Sequence, residues 1–380
     1  MHFDFTKEQQ MLGDTVQRFV VQEYGFESTR KNVIRSSDGW SRAIWAKLAE
    51  LGLLALQVPE EYGGMGTASV ETMLTMNALG RGLVVEPYVS SAILGTALVR
   101  ELGSAAQKES LLPALASGEK IVVPAHGEHG ARHDLSVVET RAARSGDGWV
   151  LDGAKAVVLD AGAADVLVVS ARTSGDVADE RGISLFLVDR GAPGVTLRPF
   201  RTIDRHRAAD VGLRDVRVPA SSLLGPEGGA FPALTAVWDV GIAALCAEAV
   251  GALEAILQAT IEYTKQRKQF GVPIARFQAL QHRMADMLIH VEQAKSMSYL
   301  AAIRCVEPDR KARERALSAA KVTVGQACRR VGQEAVQLHG GMGVTEELNV
   351  GHYFQRLASI EISLGDTEHH LERFVRTENT

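Results

Sequence analysis

Along the 380 residues the hydrophobic period changes twice, and that succession limits the possible folds more than any other feature. Up to residue 119 apolar positions recur at helical spacing. Thr6 and Gln9 form a capping box, and Met11, Val16, Phe19 and Val20 continue the stripe. Residues 40–56, 71–79, 90–102 and 111–115 read as further helices, and 59–66 as a turn-forming loop. Between 120 and 225 the pattern becomes short β-branched runs separated by Gly and Asp, clearest at 149–159, 165–170, 183–188, 195–200 and 211–218. These predict a small antiparallel sandwich or barrel, with 172–181 as an exposed hairpin loop. From 226 onward, long helical periods over 233–265, 277–306, 310–339 and 360–376 predict a four-helix bundle. The expected architecture is α+β and multidomain: an N-terminal all-α domain (1–119), a middle β domain (120–225) and the C-terminal bundle (226–380). There is no βαβ alternation and no G-x-G-x-x-G after a strand, which excludes a Rossmann protein.

Composition narrows the function classes. A net charge of -5 lacks the basic balance of a nucleic-acid binder. Cys246, Cys305 and Cys328 are odd in number and far apart, so they form neither a disulfide framework nor a CxxC metal knuckle, and a reducing compartment is expected. The most apolar run, 236–257, is interrupted by Asp239, Glu248 and Glu254, so no membrane span is expected. The N-terminus has no basic start followed by an apolar stretch, and its early acids argue against a transit peptide. A soluble, cytoplasmic protein is the expectation.

Two motifs carry chemistry. Arg267-Lys268-Gln269-Phe270-Gly271, followed by Phe277-Gln278, offers a guanidinium for a pyrophosphate, aromatics for a purine ring, and a glycine for close approach. The alternative is a basic helix end closed by a glycine cap, with Phe270 and Phe277 in the core. The second motif runs from Gln337 through Leu338, His339, Gly340 and Gly341 to Met342-Gly343. Paired glycines after a helix expose backbone N–H groups to an anion or ring edge, or make a tight helix–helix connection.

In this order and spacing the motifs resemble the acyl-CoA dehydrogenase family. The resemblance runs the whole length, through the Phe5 to Gln10 start, the Pro59 to Gly66 loop and Leu151-Asp152-Gly153-Ala154-Lys155. It implies FAD as cofactor and oxidation of an acyl-CoA thioester to the 2-enoyl-CoA. Arg267 is then expected at the pyrophosphate, Gln269 and Phe270 at the adenine side, and Gln278 near the adenosine. Gln337, Leu338, Gly340 and Gly341 are expected to contact the cofactor, the glutamine and glycines from a neighbouring subunit. A homotetramer, or a heterotetramer with a paralogue, and an electron-transfer flavoprotein-type acceptor are implied as partners.

The departures from the family pattern bear on catalysis. The β-domain motif usually read Thr-Glu-Pro-x-x-Gly-Ser-Asp is here Gly127 to Asp134, with His129 for Pro and His133 for Ser. His133 and Asp239 are the expected substrate and flavin-loop residues. Val157 and Leu159 stand where relatives carry Trp and Thr. His126, His129 and His133 lie within eight residues, but on a Gly-rich segment rather than one helical face, so no metal is expected. At the two places where members carry the catalytic Glu, this chain has Leu364 and Gly241. Asp366 is the candidate base, and a helix N-cap is its alternative role. Three readings follow: a complete acyl-CoA dehydrogenase, a half-site subunit relying on a partner, or a relative acting on a non-CoA substrate.

Overall fold

The computed structural model describes residues 5–66 and 68–377. The N-terminal helices are α1 (Lys7–Glu23), α2 (Lys31–Arg35), α3 (Arg42–Glu50), α4 (Ser69–Gly82), α5 (Thr96–Leu102) and α6 (Ala105–Ala116). Eight strands follow: β1 (Val122–Ala125), β2 (Arg141–Ser145), β3 (Gly148–Leu159), β4 (Val166–Arg172), β5 (Ile183–Asp189), β6 (Val195–Arg201), β7 (Arg207–Pro219) and β8 (Leu223–Leu224). The C-terminal part holds α7 (Phe231–Gln266), the hairpin β9 (Lys268–Gln269) and β10 (Val272–Pro273), then α8 (Gln278–Arg304), α9 (Arg310–His339), α10 (Asn349–Ile362) and α11 (Thr367–Arg376). Thr6 caps α1 through the capping box with Gln9.

The chain divides into two compact units, with one boundary inside α7 after Gly241. The first combines the chain up to Asn32, Ser69–Val84 and everything from Ile242 onward; the second holds Val33–Ala68 and Val85–Gly241. The units therefore cut across the N-terminal helical stretch, because α4 packs apart from its sequence neighbours.

In the second unit the strands run in the order β6-β7-β3-β2-β4-β5-β8, with β1 paired to β4. Pairing is mainly antiparallel, as expected, with β1 and one residue pair of β2 meeting β4 in parallel. Val122, Val168, Leu185, Leu98, Leu112 and Leu234 form one core cluster between sheet and helices. The β4–β5 connection is polar as expected, yet Arg172 at its start is buried and donates to the carbonyls of Ser136, Val177, Asp179 and Arg181.

In the first unit α9 packs against α8, α10 and α11, burying Leu317, Val324 and Val331. The helix expected over 360–376 is instead the last three residues of α10, most of which (349–359) the periodicity does not predict, followed by a turn and α11. Leu364 (φ 55°) and Gly365 (φ 110°) break the chain, and Asp366 starts α11. Despite its acids, helix α7 is long and apolar enough to cross a membrane, which differs from the expectation. Its most apolar window is 89% buried, as in a core helix. The interior acid Glu248 is matched by Arg356 on α10, at 2.6 and 2.7 Å.

Candidate functional site

The first unit brings the two sequence motifs to one end of its helices. Helix α7 ends in a tight hairpin: Gln269 pairs with Val272, and both central residues, Phe270 (φ 53°) and Gly271 (φ 80°), have positive φ. That combination belongs to the two-residue turn whose twist matches the flanking strands. It throws Phe270 outward, 89% exposed, edge-on to Phe277 with ring centroids 6.0 Å apart. The core placement of these aromatics is therefore corrected: the turn leaves them at the surface. Arg267, Gln269 and Gln278 are exposed on the same hairpin and helix start. The Arg267 guanidinium makes no ion pair among the described residues, so it is available to an outside anion.

The second motif lies alongside. Tyr263, one turn before Arg267, stacks on His339 (centroids 4.3 Å, 27° between planes), and its hydroxyl donates to the His339 carbonyl at 3.3 Å. Helix α9 thus delivers Gly340 and Gly341 beside the end of α7. A Cβ at either glycine, or at Gly271, would meet nothing within 4 Å; positive φ accounts for Gly340 (61°) and Gly271 (80°), whereas neither packing nor φ accounts for Gly341. Open space over exposed backbone fits an outside group at the surface. Gly343 differs: a Cβ there would sit 2.7 Å from the Val336 carbonyl, so it is a packing glycine. Gln337 is exposed, whereas Leu338 is only 6% exposed. Its side chain belongs to the packed face of α9, so only its backbone faces outward chemistry there.

The second unit holds a buried ionic cluster. Lys155 on β3 is fully buried, and its ammonium donates to Glu128 Oε1 (2.5 Å), Ser170 Oγ (2.9 Å) and the His126 carbonyl (3.3 Å). Glu128 also accepts from the backbone N–H groups of Glu139 and Thr140. Burial pushes the Lys155 pKa down to about 8, partly offset by the Glu128 carboxylate. Burial raises the Glu128 pKa, but Lys155 and the hydrogen bonds outweigh it and the net shift is downward. Burial, then the Lys155 charge, pushes His126 down to about 3, leaving a neutral ring edge-on to Trp238. The cluster ties the loop at 126–134 to β3, helped by the Ala156 N–H to the Gly127 carbonyl at 2.7 Å.

Two residues further, β3 bulges against β7. Val157 has φ 52° and is 55% exposed, and its N–H donates to Asp210 Oδ1 at 3.1 Å. Positive φ is a genuine outlier for a β-branched residue, and such strain clusters at functional sites. His129 is exposed, 3.9 Å from Asp210, and His133 is half-buried. Among the described residues no group of His, Cys, Asp or Glu is arranged to hold a metal ion.

The candidate bases are placed elsewhere. Asp366 caps α11, accepting from the His369 N–H at 2.8 Å, the contact that the N-cap alternative expects. Asp239 is fully buried on α7. Leu364 is half-buried on the turn before Asp366, and Gly241 is buried. Reading the sequence missed Lys321, Tyr263 and the Lys155–Glu128 pair. A lysine inside the apolar stretch Leu317-Ser318-Ala319-Ala320-Lys321-Val322 was the available signal for the first.

Three family models match in succession: acyl-CoA dehydrogenase N-terminal domain over 6–119, middle domain over 125–216, and C-terminal domain over 231–377. YngJ of Bacillus subtilis (strain 168), a probable acyl-CoA dehydrogenase, is 31% identical over 373 residues and covers 97% of each chain. The butyryl-CoA dehydrogenase structure from Megasphaera elsdenii superposes with a TM-score of 0.91 at 28% identity, covering 100% of both chains. The ChsE4-ChsE5 complex from Mycobacterium tuberculosis gives 0.89 at 27% identity, again over 100% of both chains.

Proposed function

The chain belongs to the acyl-CoA dehydrogenase family, whose members are FAD-dependent flavoproteins, and from that premise we propose that it oxidises an acyl-CoA thioester to the 2-enoyl-CoA. The single observation behind this reading is the exposed Arg267–Phe270 hairpin joined to the open Gly340-Gly341 turn by the Tyr263–His339 stack. These residues fit FAD. Arg267 would pair with its pyrophosphate, Phe270 and Gln269 would flank the adenine, and the Gly340-Gly341 backbone of a neighbouring subunit would approach it closely. When bound, FAD supplies the electron acceptor for oxidation of the Cα–Cβ bond. The Lys155–Glu128 cluster would hold the 126–134 loop in place, and the Val157 bulge would present backbone to the ring system without the Trp and Thr of other members.

Removing an α-proton from a thioester needs a positioned base. Position 364 is Leu, position 241 is Gly, and Asp366 accepts a helix-capping hydrogen bond. That favours a second reading: a subunit that holds cofactor contacts while a paralogous partner supplies the base, an arrangement in keeping with the likeness to the ChsE4-ChsE5 complex. Either form would pass electrons to an electron-transfer flavoprotein-type acceptor, and the three buried free cysteines suit the reducing cytoplasm.

An absorbance spectrum of the purified chain, before and after anaerobic addition of butyryl-CoA and other CoA esters, tests the proposal. A flavin spectrum bleached by a CoA ester supports the complete enzyme. A flavin spectrum that no ester bleaches until a paralogue is co-expressed supports the half-site subunit. Bleaching by NADH instead would replace both with a flavin enzyme acting on a non-CoA substrate.

A further inference from the structure

The turn at 362–366, between α10 and α11, is held by more groups than a helix connection needs. Lys321 on α9 is 1% exposed, and its ammonium donates to the carbonyls of Glu361 (2.9 Å) and Gly365 (2.6 Å), which bracket the turn. His370 on α11 is fully buried and holds the middle, with Nε2 3.0 Å from the Leu364 carbonyl and Nδ1 3.3 Å from Ser318 Oγ. A carbonyl can only accept, so Nε2 carries the hydrogen and, in the neutral ring, Nδ1 accepts from the Ser318 hydroxyl. Burial keeps His370 neutral by pushing its pKa far down, helped by the nearby Lys321 charge. The Glu361 carboxylate accepts from Thr367 Oγ1 (2.9 Å) and pairs with Arg329 (3.0 Å), fixing the start of α11 to the end of α10.

Between these anchors the backbone is in sparsely populated territory. Leu364 has φ 55° and Gly365 φ 110°. A Cβ at 365 would lie 2.5 Å from His370 Nε2, so glycine is required there. A leucine held left-handed persists only where its surroundings over-determine it. Burying an ammonium is unfavourable and pushes the Lys321 pKa down even though the Glu361 and Asp366 carboxylates partly offset it, and a plain connection between two helices does not call for it.

We propose that Lys321, with His370, is a positioning residue that holds the 362–366 turn so that residue 364 is presented in one fixed conformation; the chain keeps the frame of a catalytic turn and lacks only its carboxylate. This rests on the acyl-CoA dehydrogenase reading in its half-site form for what residue 364 would do, but the clamp itself can be measured without it.

The test uses the full-length FAD-loaded chain and its Leu364→Glu, Leu364→Glu/Lys321→Met, Lys321→Met and Lys321→Arg variants. In anaerobic mixing with butyryl-CoA, Leu364→Glu is expected to bleach the flavin at least about tenfold faster than wild type, as a newly supplied base would. Adding Lys321→Met is expected to remove most of that gain through the maximal rate, with the half-saturating butyryl-CoA concentration and flavin content unchanged. A gain that survives without Lys321 overturns the proposal, as does a wild-type chain that bleaches while Leu364→Glu adds nothing. Independently of substrate, amide hydrogen exchange at 363–366 should speed about tenfold or more in Lys321→Met, with less acceleration in Lys321→Arg and no change in α1 or α4. Unchanged exchange overturns the clamp. Should Lys321→Met not fold, Ser318→Ala, which releases only His370, is read by the same exchange and by the same criterion. If no chain bleaches with any CoA ester, the acyl-CoA reading fails, and the exchange result still decides whether Lys321 holds the turn.

Discussion

An exposed arginine that makes no ion pair among the described residues contributes little to its own fold, which makes Arg267 informative. Its neighbours at the tip of α7, Phe270 and Gly271, adopt positive φ and turn an aromatic ring into solvent. Arg267→Ala is expected to leave circular dichroism and thermal unfolding unchanged while the purified protein loses most of its flavin, read as the 450 nm to 280 nm absorbance ratio. Removing a charge-assisted hydrogen bond to a phosphate weakens binding by about tenfold to a hundredfold. Full flavin content in that variant would remove the hairpin from the cofactor site. Lys155 and Glu128 behave oppositely, because both are buried and each is the other's compensation. Breaking such a pair by Lys155→Met is expected to cost about 3–5 kcal/mol in denaturant unfolding, as an uncompensated carboxylate remains inside. The pH dependence has a definite sign. The folded-state pKa of Glu128 lies below its unfolded value near 4.5, so its contribution is present above that value and is lost as pH falls through the folded pKa. Glu128→Gln should therefore flatten the acid limb of a melting-temperature profile below about pH 4.5. An acid limb as steep as wild type would show that the pair does not report on unfolding.

At the scale of elements, glycines separate packing from binding. Where α4 crosses α7, a Cβ on Gly251 would lie 1.9 Å from the Asn77 carbonyl, and one on Gly80 would lie 2.1 Å from the Glu248 carbonyl. The two backbones meet through these paired glycines. Gly251→Ala is expected to lower stability by about 1–3 kcal/mol, since the helices must move apart. Gly341 has open space around it, and Gly341→Ala should leave the melting temperature within a degree or so while reducing flavin retention. A matched loss of stability in both variants would contradict this division. The break between α10 and α11 belongs to the same scale: helical period over 360–376 runs straight through it, and the left-handed Leu364-Gly365 pair, clamped from α9 and α11, separates the two helices.

For the molecule as a whole, surface apolarity points to assembly. Helix α8 leaves Leu288, Ile289 and Ile303 about half exposed, and the hairpin leaves Phe270 almost fully so. Isolated soluble chains seldom leave large apolar surfaces uncovered. Light scattering on the flavin-loaded protein is expected to give a mass of about four chains, as a homotetramer or with a paralogue. A monomer that retains FAD would sink the proposal that cofactor contacts come from two chains. Charge sets no competing expectation of nucleic-acid binding, as the chain carries a net charge of -5.

Much of this is legible in residue order. Periodicity separates helical, β and helical stretches because burying one face of a helix or strand imposes a period of 3.6 or 2 on the chain itself. Helix α9 follows the predicted 310–339 span, and the capping box at Thr6 is local enough to be read directly. Each of the two motifs alone has an ordinary structural reading, and they stand out only through their order and spacing, which resemble the acyl-CoA dehydrogenase family. What the tertiary structure decided were the features made by residues distant in sequence. Phe270 could be core or surface until the hairpin turned it outward. Leu338 falls inside a motif, yet the helix face it occupies is packed. Asp366 could be a base or a cap, and the fold sets its carboxylate on the His369 N–H. Glu128 and Lys155 lie 27 residues apart, and Lys321 lies 44 residues from the carbonyl it holds. A hydrogen bond depends on position to within tenths of an ångström, and hydrophobic period carries no information at that resolution.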